Sequence, residues 1–296
     1  MTSRPASPVR ASTGPSAQPR EPDVGAANFR RTAPPRVEDG TRVSAFDSVI
    51  HAQGAWRDDE LHMAPVSGLV TAELLAHAPR EDLRLARISF DILGTLHYGP
   101  LTVTTRTIRP GRTIELVEAT LEAQGRAALV ARAWRLVTSD TADRALANDA
   151  ALAPFEECEH YAEMGERWPG GFIRALDIHV APDHAPGHGR CWTSSEVEMI
   201  AGEPTTDVAR LMGMVDVANG VAPVLPTGPG GYGYANVDLQ VHLYREPVGT
   251  RLGLATTSHV GPDGVGLTSA VLHDALGPFG RSEQVQTVRR MPGNDD

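Results

Sequence analysis

The sequence of 296 residues contains no lysine, so all 27 of its Lys and Arg side chains are arginines. Without a side-chain amine, the protein cannot form a Schiff base with a carbonyl substrate or with pyridoxal phosphate. It also lacks the lysine with which P-loop NTPases hold phosphate groups. The absence of lysine therefore excludes these classes of enzyme.

Cysteine is almost as rare, with Cys158 and Cys191 alone. Two cysteines cannot build a disulfide framework or a four-cysteine zinc site. Other possible metal ligands precede Cys191, namely His179, Asp183, His184 and His188. Their spacing fits no zinc motif, so we expect no metal site.

Long apolar runs are missing as well. None approaches the roughly 20 residues that a membrane-spanning helix needs, and the first 20 residues lack the apolar core of a secretory signal. The formal net charge of −10 argues against nucleic acid or an anionic membrane as the main partner. We therefore expect a cytoplasmic protein that binds neither nucleic acid nor membrane.

Three common catalytic motifs are absent. There is no G-x-S-x-G, which disfavours a serine thioesterase of the α/β-hydrolase type. There is also no H-E-x-x-H zinc motif and no G-x-G-x-x-G dinucleotide motif after a strand.

The composition divides the chain into five segments. Residues 1–40 are rich in Pro, Ser and Arg and lack periodicity, so we expect them to be disordered. Residues 41–138 and 172–290 carry the regular patterns and are predicted as two domains. Residues 139–171 are mixed and acidic and are predicted as a linker, and 291–296 form a tail.

Each predicted domain has a helix followed by four strands. Apolar spacing predicts helices over 64–77 and 206–221. Alternating runs separated by Gly and Pro turns predict strands over 85–96, 101–109, 113–123 and 127–137, and again over 235–244, 251–259, 266–273 and 281–288.

The two halves also match at a fixed spacing, which indicates an internal duplication. Phe90-Asp91-Ile92 corresponds to Val237-Asp238-Leu239, and Pro100 to Pro247. A helix followed by a long antiparallel meander is stable when the sheet curls around the helix. The sequence thus predicts an α+β fold of two curved antiparallel sheets, each wrapped around a central helix, whose edge strands can pair.

Four stretches resemble a known family. They are HMAPVSGL at 62–69, LMGMVDVANG at 211–220, YANVDLQVHLYREPVG at 234–249 and GPFGRSEQVQTV at 277–288. With the helix-and-sheet pattern repeated twice, they resemble the TesB-like acyl-CoA thioesterases in their actinobacterial branch. The resemblance covers about 42–138 and 172–290, and it implies the double hotdog fold.

The resemblance implies a water activated by three side chains. The motifs assign these roles to Asp216 as general base, and to Asn236 and Gln284 as groups that hold the water. Asn236 replaces a hydroxyl residue of the best-studied branch, and Gln284 requires a one-residue shift, with Gln286 as the alternative. Burial on an apolar helix face should raise the pKa of Asp216 toward the range useful for a base.

Further residues are predicted to bind the substrate: His62, Ser67, Gly68, Gly231 and Arg245. Backbone N–H groups around 66–68 or 230–233 could stabilise an oxyanion. His62 could present a polar group to the acyl thioester, or be a loop histidine without a role. Arg245 could meet the phosphates of CoA or form a structural salt bridge.

The resemblance implies a cofactor-free hydrolase of acyl thioesters carried by CoA or a carrier protein, and a homo-oligomer stays open. One alternative is a biosynthetic enzyme that cyclises, dehydrates or rearranges an acyl or polyketide intermediate, because a fold does not fix its function. A non-catalytic acyl-binding module is another. A dehydratase would need an aspartate together with a histidine, and 206–222 offers no histidine near Asp216.

Overall fold

The computed structural model describes residues 26–228 and 230–292, which form 15 β-strands, four α-helices and short 3-10 turns. The helices are α1 (Met63–Ala76), α2 (Glu163–Arg167), α3 (Gly171–Arg174) and α4 (Asp207–Val215). The strands are β1 (Ala27–Glu38), β2 (Thr41–Ser48), β3 (Leu83–Ile92), β4 (Pro100–Arg109), β5 (Ile114–Ala123), β6 (Arg126–Val137), β7 (Glu159–His160), β8 (Asp177–Val180), β9 (Arg190–Ser194), β10 (Glu198–Ile200), β11 (Tyr232–Asn236), β12 (Asp238–Leu243), β13 (Arg251–Val260), β14 (Val265–Asp274) and β15 (Gly277–Arg290).

All the strands belong to one sheet with the order β10-β1-β2-β4-β5-β6-β3-β12-β15-β14-β13-β9-β8-β7, and β11 also pairs with β15. The pairs are antiparallel except for β1 with β10. The chain therefore combines a large sheet with few helices, and the two sheets that the sequence predicts are joined edge to edge into this one.

The two halves of the sheet meet where β3 pairs with β12. Asp91 lies opposite Asp238, and the neighbouring pair Phe90 and Leu239 is fully buried. Because Asp91 and Asp238 are also equivalent in the predicted duplication, this register is the one that an approximate two-fold relation between the halves requires. The joint removes one exposed sheet edge from each half.

Helices α1 and α4 contact each other between the two halves. Gly68 of α1 lies so close to Gly213 of α4 that a Cβ on Gly68 would be 2.8 Å from the Cα of Gly213. The Ser67 hydroxyl donates to the Met212 carbonyl at 2.7 Å. Each helix also packs against its own half of the sheet, α1 on β4 and β5 and α4 on β13.

Side chains hold both ends of α1 in place. At the first turn, Nδ1 of His62 accepts a hydrogen bond from the Ala64 N–H, and so caps the helix. At the last turn, the buried Arg135 guanidinium donates to the carbonyls of Leu74 and His77. The position of His62 is therefore fixed by the start of a buried helix.

The predicted disorder over 1–40 is wrong for β1, which pairs with β2 and with β10 of the second half. Its register is irregular between Ala33 and Arg36, and the two prolines at 34 and 35 sit in this irregularity. A bulge accommodates prolines because it leaves backbone N–H groups outside the ladder. Residues 1–25 and 293–296 lie outside the described residues.

The predicted linker also contributes to the folded core. Residues 139–154 run largely exposed, whereas α2 and the residues after it bury Met164 and Trp168. This segment carries short elements whose few residues cannot show a clear period, so sequence patterning does not detect them.

Candidate functional site

A cavity of about 330 Å³ lies where the two halves meet. The first half contributes residues from the start of α1 and the segment before it, and from the end of β3 and the segment after it. The second half contributes residues from α2 to α3, from the turn after α4 and from β11. Its polar lining consists of Glu60, His62, Thr95, Asp216, Asn219 and Asn236. Apolar and aromatic side chains form most of the rest, so the cavity has the character of a small-molecule site.

Asp216 follows the last residue of α4 and starts a 3-10 turn over Asp216–Asn219. Its side chain is 4% exposed. One carboxylate oxygen, Oδ1, accepts hydrogen bonds from Nδ2 of Asn236 at 2.6 Å and from Nε2 of Gln284 at 2.7 Å. The two amides orient the carboxylate and leave its other oxygen, Oδ2, free of them.

Burial raises the pKa of Asp216 to about 6, although the hydrogen bonds from Asn236 and Gln284 act in the opposite direction. A carboxylate with this pKa is ionised at neutral pH and is more basic than an ordinary aspartate. It therefore suits the abstraction of a proton from water or from a substrate.

His62 of the first half lies beside Asp216 of the second half. Its Nδ1 is 3.3 Å from Oδ2 of Asp216, and its ring packs against Phe172 with centroids 4.7 Å apart. Burial lowers the pKa of His62 to about 4, so the ring is neutral at neutral pH. A dehydratase needs a histidine beside its aspartate, and 206–222 contains none. His62 at the start of α1 supplies such a histidine next to Asp216.

The three residues assigned to the water come together, but in unequal positions. Asp216 and Asn236 line the cavity, whereas Gln284 is fully buried and is not part of the lining. Gln284 therefore contacts the carboxylate from behind. The alternative glutamine, Gln286, instead donates to the hydroxyl of Thr268 at 3.0 Å.

Ser67 and Gly68 lie elsewhere than predicted. Neither lines the cavity, because both face α4 in the contact between the two helices. Ser67 is fully buried, and its hydroxyl oxygen is also 2.7 Å from the Ala64 carbonyl oxygen, so its one hydrogen is shared between two acceptors. Their small side chains allow the two helices to pack closely. A local sequence motif cannot show whether small residues serve this packing or the close approach of a ligand.

Gly231 and Arg245 are likewise placed outside the cavity lining. Gly231 belongs to a turn in which its N–H donates to the Gly228 carbonyl at 3.0 Å. Both terminal nitrogens of Arg245 bond the buried Asp274 carboxylate, at 2.6 and 2.5 Å. The structure therefore gives Arg245 the structural salt bridge that the sequence left open.

Sequence reasoning missed an aromatic group in the cavity wall. Trp56, Trp168 and Tyr234 meet edge to face, with ring centroids 5.1 to 6.2 Å apart. The indole N–H of Trp168 donates to the Gly220 carbonyl at 3.1 Å and fixes the ring. A usable signal was the scarcity of tryptophan, since two of only four in the chain stand here.

Within the described residues, no group of three or more His, Cys, Asp and Glu side chains is arranged to hold a metal ion. The ligand-like residues of 179–191 have other contacts: His179 pairs with Asp177, and His184 accepts from the N–H of Arg190. None of the helices in the described part of the chain has the length and apolarity to cross a membrane.

Solved structures with a similar fold cover nearly the whole chain. A protein from Thermobifida fusca YX, provisionally described as thioesterase II, has a TM-score of 0.67 at 18% identity and covers 90% of this chain and 96% of its own. A hot dog fold protein of unknown function from Alicyclobacillus acidocaldarius has 0.67 at 9%, covering 86% and 96%. Acyl-CoA thioesterase II TesB2 from Mycobacterium marinum has 0.60 at 13%, covering 87% and 95%. At these identities the likeness shows the hotdog fold alone.

No curated protein matches the sequence. The family model of the acyl-CoA thioesterase N-terminal domain matches residues 52–136, and that of the C-terminal domain matches residues 155–288. Together the two matches span most of the chain and place the cavity residues of both halves inside them. The chain therefore belongs to the acyl-CoA thioesterase family.

Proposed function

We propose that the protein hydrolyses acyl thioesters with a water that Asp216 deprotonates in the cavity. The observation that carries the proposal is the environment of this carboxylate. It is buried, two amides orient its Oδ1, and its pKa of about 6 suits a general base. Membership of the acyl-CoA thioesterase family supports the same reaction.

In this reaction the Asp216 carboxylate takes a proton from water as the water oxygen bonds the acyl carbon. The electron pair of the carbonyl double bond moves to the carbonyl oxygen. Collapse of the tetrahedral intermediate breaks the C–S bond, and the leaving thiolate receives the proton from Asp216. The products are a carboxylic acid and a thiol, and no cofactor takes part.

We further infer that each half is one hotdog unit, which makes the chain a double hotdog. The order of the sheet and the central joint of β3 with β12 support this. The first unit then begins with β1 rather than at residue 41, and the second includes the segment from residue 155 onward.

The proposed substrate is a small-molecule acyl thioester of CoA or of a carrier protein, handled in the cytoplasm. Family membership supports CoA. The aromatic wall of Trp56, Trp168 and Tyr234 supports an apolar acyl group, because such rings bury apolar surface well.

The test is thiol release from a panel of acyl-CoAs by the wild type, by Asp216→Asn and by Asp91→Asn. Asp91 is an exposed aspartate of β3 and serves as the matched control. We expect kcat/KM to fall about 10²–10⁴-fold in Asp216→Asn and to stay unchanged in Asp91→Asn. A wild type no faster than Asp216→Asn on every substrate would defeat the proposal.

One observation favours a second candidate, the reversible dehydration of a hydroxyacyl thioester. Such a reaction needs a base and an acid at neighbouring carbon atoms, and His62 and Asp216 lie 3.3 Å apart at the cavity. Mass spectrometry separates the two reactions. Dehydration removes one water from the acyl group and leaves the thioester intact, whereas hydrolysis frees the thiol.

A further inference from the structure

The two nitrogens of the His62 ring have different surroundings, and the difference assigns a role to this residue. We propose that His62 donates a hydrogen bond from Nε2–H to the carbonyl oxygen of the bound thioester, and so stabilises the oxyanion that forms on it. The inference rests on the proposed hydrolysis and adds a catalytic residue to it.

The cap of α1 sets the tautomer of His62. The Ala64 N–H donates to Nδ1 at 3.1 Å, so Nδ1 uses its lone pair and carries no hydrogen. A neutral imidazole then has its only hydrogen on Nε2. The pKa of His62, lowered to about 4 by burial, keeps the ring neutral at the pH where Asp216 is ionised.

Nε2 of His62 faces no protein acceptor among the described residues. Nε2 is also absent from the set of buried polar atoms that lack a hydrogen-bond partner. The His62 side chain is 18% exposed and lines the cavity. The N–H is therefore accessible to a molecule in the cavity. Contact with the Phe172 ring on α3 limits the rotation of the imidazole.

The neighbouring Asp216 links this donor to the base. Nδ1 and Oδ2 are 3.3 Å apart, which is long for a hydrogen bond and close for two groups that both accept. Once Oδ2 has taken a proton from water, it can donate to Nδ1 and share the lone pair there with the Ala64 N–H. A hydrogen bond received at Nδ1 polarises the Nε2–H, so the donor strengthens when the oxyanion forms.

The backbone groups that the sequence offered for the oxyanion do not compete for this role. Residues 66–68 lie inside α1 and residues 230–233 precede the cavity residues of β11, and neither group lines the cavity. His62 is a cavity-lining donor next to the base. A preorganised donor of this kind is typically worth about 10²–10³-fold in kcat.

The matched variants are His62→Asn and His62→Gln. Asparagine is among the best capping residues, so Asn keeps the acceptor for the Ala64 N–H while it removes the Nε2 donor. Glutamine has a longer side chain that can return an amide N–H to the cavity. We expect kcat to fall about 10²–10³-fold in His62→Asn with little change in KM, and to recover in part in His62→Gln.

The tautomer is measured independently by ¹⁵N–¹H correlation spectra of histidine side chains in the full-length protein, with the His62 signals identified by their loss in His62→Asn. We expect the Nε2–H tautomer from pH 6 to 8. A protonated Nδ1, or an imidazolium ring in this range, would overturn the inference and favour the dehydratase, in which Nε2 is a base.

Failure of this inference differs from failure of the proposed hydrolysis. If His62→Asn folds and keeps the wild-type kcat while Asp216→Asn loses it, hydrolysis stands and the donor role of His62 is wrong. If the wild type releases no thiol from any acyl-CoA, the proposed hydrolysis fails and the donor role falls with it.

Discussion

Asp216 is a carboxylate in an environment that disfavours its charge. Its side chain is almost fully buried, and the group beside its free oxygen is the Nδ1 acceptor of His62, which cannot neutralise it. The two amides of Asn236 and Gln284 compensate only in part, because the pKa remains raised. Burial of the Asp216 carboxylate therefore lowers the stability of the folded protein and makes this group more basic.

The raised pKa of Asp216 predicts that Asp216→Asn is more stable than the wild type above pH 6. The folded-state pKa of about 6 exceeds the ordinary value, so the stability that protonated Asp216 contributes is complete below about pH 4 and is lost as the pH rises through 6. Asparagine never ionises, and its oxygen can accept from the same two amides. We expect a gain in unfolding free energy on the order of 2 kcal/mol at pH 8, shrinking toward pH 4, in urea titrations. Equal or lower stability of the variant at pH 8 would contradict this.

The same pKa predicts the acid limb of the activity profile. The base must be ionised, so kcat/KM should fall about tenfold per pH unit below about 6. Glu60 also lines the cavity and has a pKa raised by burial, so it is the other carboxyl group that could cause the limb. Thiol release measured from pH 4.5 to 8 should show the same limb in Glu60→Gln as in the wild type. A limb that disappears in Glu60→Gln would assign it to Glu60 instead.

At the scale of elements, the contact of α1 with α4 decides the geometry of the site. α1 begins next to His62 and α4 ends next to Asp216, so the distance between these side chains depends on how the helices pack. The helices approach closely because glycines face each other at the crossing. A small displacement of one helix therefore separates the base from its neighbour.

This contact predicts unequal effects of two glycine substitutions. Besides the flexible end of Met199, a Cβ on Gly68 would meet the backbone of Gly213 at 2.8 Å and the Ala209 carbonyl oxygen at 3.0 Å, and this backbone cannot give way without moving the helix. A Cβ on Gly213 would meet chiefly the flexible end of Met199, at 2.6 Å. We expect Gly68→Ala to cost about 1–3 kcal/mol and to lower kcat, and Gly213→Ala to cost less. Thermal unfolding and thiol release measure both, and equal costs would show that the helices repack freely.

At the scale of the whole molecule, the cavity belongs to neither half alone. His62 comes from the first half, and Asp216, Asn236 and Gln284 come from the second. The halves are joined by β3 with β12 and by β1 with β10, which leaves residues 139–154 as a largely exposed connection. The contacts, rather than the connection, hold the site together.

The chain is therefore predicted to work when it is divided in the exposed connection. Residues 1–138 and 139–296, produced together, should form a one-to-one complex that releases thiol, because the strand pairs can form between separate chains. The second piece produced alone should lose at least the contribution of His62, roughly 10²-fold. Size-exclusion chromatography with thiol release checks both, and full activity of the second piece alone would contradict a shared site.

Much of the fold follows from local patterns. The apolar spacing of 64–77 and 206–221 predicts both central helices, although α4 ends before the predicted residue 221. The alternation after each helix predicts the meander strands. The exceptions have physical causes: β1 carries two prolines in a bulge, and α2 is too short to show a period. Local periodicity reports burial along one element, and these elements lack a clear one.

The sequence by itself determined the central helices and the meander strands, indicated the family, and proposed the set of Asp216, Asn236 and Gln284, because each depends on a short stretch of chain. The tertiary structure decided which other residues surround these three and which do not. His62 lies beside Asp216, and Trp168 lies in the cavity wall. Ser67 and Gly68 lie instead in the contact between the helices, and Arg245 forms a salt bridge with Asp274. These outcomes depend on contacts between residues far apart in the chain, and such contacts arise from the packing of whole elements, which no local pattern specifies.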